Sequence, residues 1–268
     1  RDKMERSWAQ LAKPAHHLFH ALHRNTTRNS RRNIAAHYDL GNEFFRLFLD
    51  DNLMYSSAIF PTPTSTLEEA SYHKIERICQ KLELGPDDHL LEIGTGWGGF
   101  ALHAASIYGC RVTTTTISEE QHKLASQRIA DAGLSERIEV LLTDYRDLRG
   151  QYDKIVSIEM VEAVGHHYYD AYFSQCSRLL KADGLMLLQA ITIGDWFFAA
   201  HTRTVDFIKR YIFPGSCIPS VTAIAQSLAS VSDLRIVDLR DIGPHYARTL
   251  RLWRERFSAQ IETVRAQG

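Results

Sequence analysis

Short apolar runs alternate with amphipathic segments of helical period from about residue 89 onward, and this alternation limits the possible folds more than any other feature. The strand-like runs are HLLEIG, RVTTTTI, RIEVLLTD, YDKIVSIE and LMLLQAITI. Parallel strands need a crossover connection, which is usually a helix, so regular alternation predicts a mostly parallel sheet with helices on both faces. The sequence therefore predicts an α/β fold of the Rossmann-like type.

Two other regions flank or interrupt this alternation. We expect residues 1–64 to form an N-terminal helical cap or arm, because WAQLAKPAHHLFHALHR and NEFFRLFLDD both have helical periodicity. Residues 65–268 form the main domain in this interpretation, and its first helix begins with a capping box of Ser65 and Glu68. An aromatic-rich helical insert at about 195–231 precedes a late strand pattern, LRIVDLRDI.

The segment LLEIGTGWGGF is a strand that ends in a glycine turn and leads into a helix. Glycines such as Gly94 and Gly96 let the backbone approach a ligand closely, at the sheet edge where nucleotide ligands bind. Glu92 before the glycines matches S-adenosylmethionine enzymes better than dinucleotide binders. A dehydrogenase-like fold and a purely structural turn remain alternatives. Asp144 follows a later strand. It could accept a hydrogen bond from an adenine amino group, or it could cap the helix that follows.

Several longer blocks resemble one family. These blocks are AHYDLGNEFFRLFLDDNLMYSSA, LEIGTGWGGFALHAA, TISEEQ, DYRDL, YDKIVSIEMVEAVGHHYYDAYF, DFIKRYIFPGSCIPS and GPHYARTLRLW. They are similar to the cyclopropane-fatty-acid synthase family, which includes mycolic acid cyclopropane synthases and related acyl-chain methyltransferases. The resemblance runs from about residue 33 to residue 257. It implies a class I methyltransferase with a seven-stranded, mostly parallel sheet, N-terminal helices and a helical insert that acts as a lid.

The resemblance also implies two sets of site residues. With Glu92 from the glycine motif, the residues expected at the S-adenosylmethionine site are Tyr55, Ser56, Glu92, Gly94, Gly96, Thr116, Gln121, Asp144 and Tyr145. Family members also hold a bicarbonate ion, which serves as a general base beside the sulfonium. Its expected ligands here, which form the expected catalytic set, are Ser57, Glu162, Gln189, Ile191 (through its backbone) and Tyr246.

Two of these positions depart from the family pattern. Ser57 stands where most members have cysteine, and Gln189 stands where they have histidine. A serine hydroxyl and an amide NH2 can both donate hydrogen bonds to an anion, but neither carries the charge of a protonated histidine. These departures leave both the binding of bicarbonate and the product of the reaction open.

The implied activity is transfer of a one-carbon unit from S-adenosylmethionine to the double bond of an unsaturated fatty acyl chain, with a phospholipid as substrate and a cyclopropane as product. One alternative is a methyl-branched or methylene product. Others are a small-molecule methyltransferase and a lipid-binding homologue with impaired catalysis. The insert would supply apolar surface for an acyl tunnel or lid through Trp196, Phe197, Phe198, Phe207, Tyr211 and Phe213.

Charge and cysteine content bear on location and partners. Residues 1–37 carry eight Lys or Arg against Asp2 and Glu5, on a chain whose net charge is −1. This basic arm could favour an anionic membrane surface or simply be solvated. With no apolar run of about 18–20 residues, we expect a cytoplasmic protein that is peripherally associated with membrane. A homodimer is possible, and no nucleic-acid partner is expected.

Metal binding is not expected. Cys79, Cys110, Cys176 and Cys217 are far apart without a CxxC pair, which indicates reduced thiols. The series His16, His20 and His23 lacks a nearby partner that would complete a metal site.

Overall fold

The computed structural model describes residues 41–266. Its strands are β1 (His89–Ile93), β2 (Arg111–Thr116), β3 (Ile138–Leu142), β4 (Tyr152–Ile158) and β5 (Leu180–Gln189). Its α-helices are α1 (Asn42–Arg46), α2 (Leu67–Lys81), α3 (Gly99–Tyr108), α4 (Glu119–Asp131), α5 (Val161–Val164), α6 (Tyr169–Leu179), α7 (Asp195–His201), α8 (Val221–Val231), α9 (Gly243–Ala259) and α10 (Ile261–Ala266). Short 3-10 turns cover Tyr145–Asp147 and His166–Tyr168, and a π-helical turn covers Ile208–Ile212.

The five strands form one parallel sheet in the order β3-β2-β1-β4-β5. Strand β1 is central, and its Leu90 and Leu91 are fully buried, one on each face of the sheet. One face packs against α2 and α3 around Ile75 and Phe100, and the other packs against α6 around Tyr172. All five C-terminal strand ends therefore lie at one edge of the sheet.

The seven-stranded sheet expected from the resemblance is wrong for residues 41–266, which form five strands. The expected strand LRIVDLRDI lies within residues 232–242, which pair with no strand in that part of the chain. Its Ile236, Val237 and Leu239 are exposed, and Asp238 pairs with Lys81 at the end of α2. An apolar pattern marks residues that suit a strand, but a strand also needs a neighbouring edge to supply its hydrogen bonds.

The start of α2 corrects the expected capping box by one residue. Thr66 accepts the Glu69 N–H, and Glu69 accepts the Thr66 N–H. Ser65 instead faces the preceding turn, where its hydroxyl bonds Thr62. Both Ser65/Glu68 and Thr66/Glu69 satisfy the capping pattern, so the sequence alone did not separate them.

The insert is helical, as expected, but its two ends behave differently. Helix α8 packs against α6, and its Ile224 and Leu228 contact the core on the face of the sheet that contains Tyr172. The aromatic part before it, by contrast, leaves Trp196 and Phe207 exposed. Only the first part of the insert therefore resembles the expected lid.

Much of the expected N-terminal arm, including the basic residues up to 37 and the series His16, His20 and His23, lies outside the described residues. From residue 41 onward, Phe45 and Phe48 pack with Trp97 and Trp253, so this segment lies against the glycine turn and α9. The separate 1–64 unit stays a prediction.

The four cysteines are buried and form no disulfide. Residues 41–266 contain no group of three or more acidic, histidine or cysteine side chains placed to bind a metal. No helix in this range combines the length and apolarity needed to cross a bilayer.

Candidate active site

The glycine turn after β1 leaves room above its backbone. Gly94 has φ 107° and Gly96 has φ 52°, a region that favours glycine. A Cβ on Gly96 would meet no atom within 4 Å, whereas one on Gly94 would touch the Met160 side chain at 3.4 Å. The space over Gly96 is thus open, and a ligand contact there stays a prediction.

Residues 50–57 are held tightly against this turn. A Cβ on Gly99 would lie 2.4 Å from the Asn52 carbonyl oxygen, so only glycine allows the observed approach. The Arg128 guanidinium donates to the carbonyl oxygens of Trp97 at 2.7 Å and Asn52 at 3.3 Å. This fixes the segment that carries Tyr55, Ser56 and Ser57 at the C-terminal edge of the sheet.

The remaining residues expected at the cofactor site lie on β1–β3 and the loops after them. Thr116 donates to Gln121 at 2.7 Å, which holds these two polar groups together after β2. Glu92 is buried below the turn and accepts from the Thr114 hydroxyl at 2.6 Å. Burial raises the pKa of Glu92 to about 8. Glu92 therefore belongs to a network inside the sheet.

Asp144 performs the alternative role that the sequence left open. Its side chain caps the short turn Tyr145–Asp147 by accepting the Arg146 N–H. The Arg146 guanidinium also donates to both carboxylate oxygens, at 2.8 and 2.7 Å. Tyr145 packs edge-on against Tyr172 with ring centroids 5.3 Å apart. A contact of Asp144 or Tyr145 with adenine stays a prediction.

Tyr55 and Tyr246 contribute partly buried rings. The Tyr55 ring lies 5.4 Å from each of the Phe45 and Trp253 rings. Tyr246 lies on α9, and that helix also supplies Thr249, whose hydroxyl accepts the Ala58 N–H. Burial and the charge of a nearby glutamate raise the pKa of both tyrosines, so both hydroxyls stay neutral.

Glu162 lies in the first turn of the short helix α5 and is buried. One carboxylate oxygen accepts the Ile191 N–H, which brings together two members of the expected catalytic set. The other oxygen, Oε2, is buried and has no hydrogen-bond partner among residues 41–266. Burial and then the charge of Glu159 raise its pKa to about 8. Such a carboxyl group can hold a proton at neutral pH.

Glu159 is a second glutamate at this edge that the sequence prediction missed. Its Oε1 accepts the Ser57 N–H at 2.8 Å and the Gln189 side-chain amide at 2.9 Å. The same Gln189 amide donates to the Ser57 carbonyl oxygen at 3.1 Å. The structure therefore joins Ser57 and Gln189, the two positions that depart from the family pattern, through Glu159.

Lys74 is the second missed residue, and it is fully buried on α2. Its ammonium donates to the Ser56 hydroxyl at 2.6 Å. Burial lowers its pKa to about 8, against the attraction of Glu159 and Asp50. Lys74 lies on the buried face of the helix, together with Leu67, Ala70, Ser71, Ile75 and Ile78. A lysine at helical spacing within an otherwise buried face is the sequence signal that could have identified it.

Known proteins resemble this chain over most of its length. The family model for mycolic acid cyclopropane synthetase matches residues 25–267. A tuberculostearic acid methyltransferase of Mycobacterium tuberculosis is 46% identical over 235 residues, which is 85% of this chain and 55% of that protein. The cyclopropane-fatty-acyl-phospholipid synthase of Escherichia coli is 44% identical over 224 residues, covering 83% of this chain and 56% of that protein. The chain thus spans about half the length of these two curated relatives.

A solved structure of a mycolic acid cyclopropane synthase, complexed with SAH and CTAB, superposes with a TM-score of 0.82. It is 36% identical, and the match covers 88% of this chain and 86% of that one. The expected α/β methyltransferase fold is therefore confirmed, apart from the number of strands.

Proposed function

This chain belongs to the mycolic acid cyclopropane synthetase family, and we propose from this that it transfers a one-carbon unit from S-adenosylmethionine to the double bond of an unsaturated acyl chain. The observation that carries the proposal is the position of a largely buried acid–tyrosine cluster at the same sheet edge as the open glycine turn. The cluster consists of Glu159, Glu162 and Tyr246. The charge of Glu159 raises the pKa of Glu162, and the charges of both glutamates raise that of Tyr246.

The chain's residues fit S-adenosylmethionine. The open space over Gly96 admits a ligand to the backbone, and Tyr55 and the linked pair of Thr116 and Gln121 border the same edge. When bound, this cosubstrate supplies an electrophilic methyl group. Gly96 would allow its close approach, while Thr116 and Gln121 would offer hydroxyl and amide groups to the ribose.

The protein's part in the chemistry is to stabilise positive charge and accept a proton. Methyl transfer to an alkene leaves a carbocation on the acyl chain. The faces of the neutral Tyr55 and Tyr246 rings and the nearby carboxylates are suited to stabilise it. Partial burial of this cluster limits the access of water, which would otherwise trap the cation as an alcohol.

The acyl substrate is supported by the exposed aromatic part of the insert. Trp196 is 83% exposed and Phe207 is 66% exposed, which is unusual for such large apolar side chains. Arg210 lies over the Tyr211 ring at 5.3 Å, so a cation accompanies the exposed rings. A surface of this composition suits the interface of an anionic lipid bilayer. We therefore propose a phospholipid acyl chain as substrate and peripheral membrane contact by the insert.

A methylene product is the second candidate beside the cyclopropane. It is favoured by the similarity to a tuberculostearic acid methyltransferase and by the contacts that Ser57 and Gln189 make with Glu159 and with each other. Which proton leaves decides between the two: loss from the added methyl closes a ring, and loss from a chain carbon leaves an alkene. A saturated methyl branch would need two further electrons from a reductant.

The test is incubation with methyl-labelled S-adenosylmethionine and vesicles of oleoyl phospholipid, followed by fatty-acid analysis. Label in the acyl chain supports the proposal, and NMR of the product distinguishes a ring from a methylene group. Label only in a soluble acceptor would favour a small-molecule methyltransferase. Binding of the cosubstrate and lipid without turnover would favour an impaired lipid-binding homologue.

A further inference from the structure

Most of the hydrogen-bond donors expected to hold bicarbonate already bond to other groups of the protein. Gln189 donates to Glu159 Oε1 and to the Ser57 carbonyl oxygen, at 2.9 and 3.1 Å. The Ser57 N–H also goes to Glu159, and the Ser57 hydroxyl goes to the Ala58 carbonyl oxygen at 3.1 Å. The Ile191 N–H is taken by Glu162. Of the five expected ligands, Tyr246 alone has no such contact within residues 41–266.

Charge also opposes a further anion at this position. The charge of Glu159 already disfavours ionisation of Glu162. Lys74 is the cation whose charge acts on Glu159, and its ammonium contacts the Ser56 hydroxyl. With Glu162 protonated, an external anion would still bring a second negative charge beside the Glu159 carboxylate. The residues present therefore do not fit bicarbonate.

The backbone holds Glu159 in an unusual conformation. Its φ is 48°, which residues with a side chain seldom adopt outside functional or strained sites. Its N–H donates to the Gln189 carbonyl oxygen at 2.7 Å, and its carboxylate accepts from the side chain of the same residue. Contacts from two different segments thus fix the carboxylate between Ser57 and Gln189.

We propose that the Glu159 carboxylate takes the place of the external anion and is the base that removes the proton, so that turnover does not require bicarbonate. This inference rests on the function proposed above. Ser57, Gln189 and Lys74 all oppose the rise that burial causes in the pKa of Glu159. The pKa of Glu159 is still raised overall, and that of Glu162 is raised to about 8. Two carboxyl groups with different environments can divide the roles of base and neutral acid.

The proton and electron balance of this step is complete. The alkene π electrons form the new C–C bond as the methyl–sulfur bond breaks, and that electron pair stays on sulfur as S-adenosylhomocysteine leaves. A C–H bond of the resulting cation then breaks, and its electrons form the ring bond or the double bond. The proton passes to Glu159 Oε2, which accepts no hydrogen bond from residues 41–266. The carboxylic acid later returns the proton to solvent.

The experiment compares the full chain in buffer freed of carbon dioxide with the same buffer containing bicarbonate, using the labelled vesicle assay. The unaltered protein should keep its rate to within about twofold, and Glu159→Gln should lose about 100-fold or more, as expected for removal of a general base. Glu159→Gly suits the positive φ and opens the anion position, so bicarbonate or formate should restore part of its activity. Glu83→Gly is the matched control, because the exposed Glu83 has φ 52° and lies after α2.

Binding provides a readout that does not depend on turnover. Carbon-13 NMR of labelled bicarbonate should show binding to Glu159→Gly and none to the unaltered protein or Glu83→Gly. An active protein whose rate falls without bicarbonate would overturn this inference while leaving the proposed function intact. Full activity of Glu159→Gln, or failure of both anions to bind or rescue Glu159→Gly, would overturn it as well. Absence of any labelled lipid with the unaltered protein would instead refute the proposed function, and the NMR result would still decide the anion site.

Discussion

Replacement of Glu162 by glutamine should stabilise the protein and nearly abolish its activity. In the folded protein, burial and the neighbouring Glu159 raise the pKa of Glu162 from 4.5 to about 8. Glutamine has the same shape, keeps an oxygen for the Ile191 N–H and never ionises. The substitution therefore removes a group whose ionisation is unfavourable in the folded protein.

The magnitude follows from proton linkage. One pKa unit is worth about 1.4 kcal/mol, so a pKa near 8 instead of 4.5 corresponds to at most about 5 kcal/mol when the group is ionised. Between pH 4.5 and 8 the unfolded chain has lost this proton and the folded protein has kept it, so the group's contribution to stability falls as pH rises. Water entry and local relaxation reduce the full amount. We expect Glu162→Gln to gain about 1–3 kcal/mol above pH 8, or roughly 2–12 °C in Tm for a chain of this size.

The assay is urea unfolding of both proteins from pH 5 to pH 9, together with calorimetric binding of S-adenosylhomocysteine. The gain should be small at pH 5, grow toward pH 8 and then level off, while cosubstrate affinity stays unchanged. Glu136→Gln is the matched control, because Glu136 is exposed. A variant no more stable than the unaltered protein at pH 8.5 would refute the reasoning about burial. A variant with normal turnover would refute the placement of Glu162 at the reacting centre.

Three further substitutions test separate parts of the site. Gly96→Val should lower S-adenosylhomocysteine affinity about 100-fold or more by filling the space over the turn, and unchanged affinity by calorimetry would contradict the proposed cosubstrate site. Gly99→Ala should lower the free energy of unfolding by about 1–3 kcal/mol, because its Cβ would lie 2.4 Å from the Asn52 carbonyl oxygen; equal urea midpoints would show that the segment yields easily. Trp196→Ser should change stability by less than about 0.5 kcal/mol but weaken vesicle sedimentation. Ile107→Ser replaces another exposed apolar residue, on α3, and should leave sedimentation unchanged. Equal effects of Trp196→Ser and Ile107→Ser would argue against the insert as the lipid-contacting surface.

Pattern and spacing were sufficient for the parts of the site that depend on local chain geometry. The glycine turn at Gly94 and Gly96 follows from a strand, a tight turn and a helix in succession. Glu162 was named as a residue that the family resemblance implies, and its catalytic role stays a prediction. Glu159, only three residues earlier in SIEMVEA, was missed. Two acidic residues directly after a buried strand could have suggested both, but their different partners come from other segments.

The sequence by itself determined the succession of strands and helices, the parallel sheet and the edge at which the site forms, because periodicity and turn residues act over short stretches of chain. Only the tertiary structure decided how the polar groups at that edge pair. Ser57 and Glu159 are 102 positions apart, and Ser57 and Gln189 are 132 positions apart. Their hydrogen bonds exist because residues 50–57 pack against the glycine turn and α9. The same reason explains the strand count: a β pattern such as LRIVDLRDI forms a strand only where another strand offers its edge.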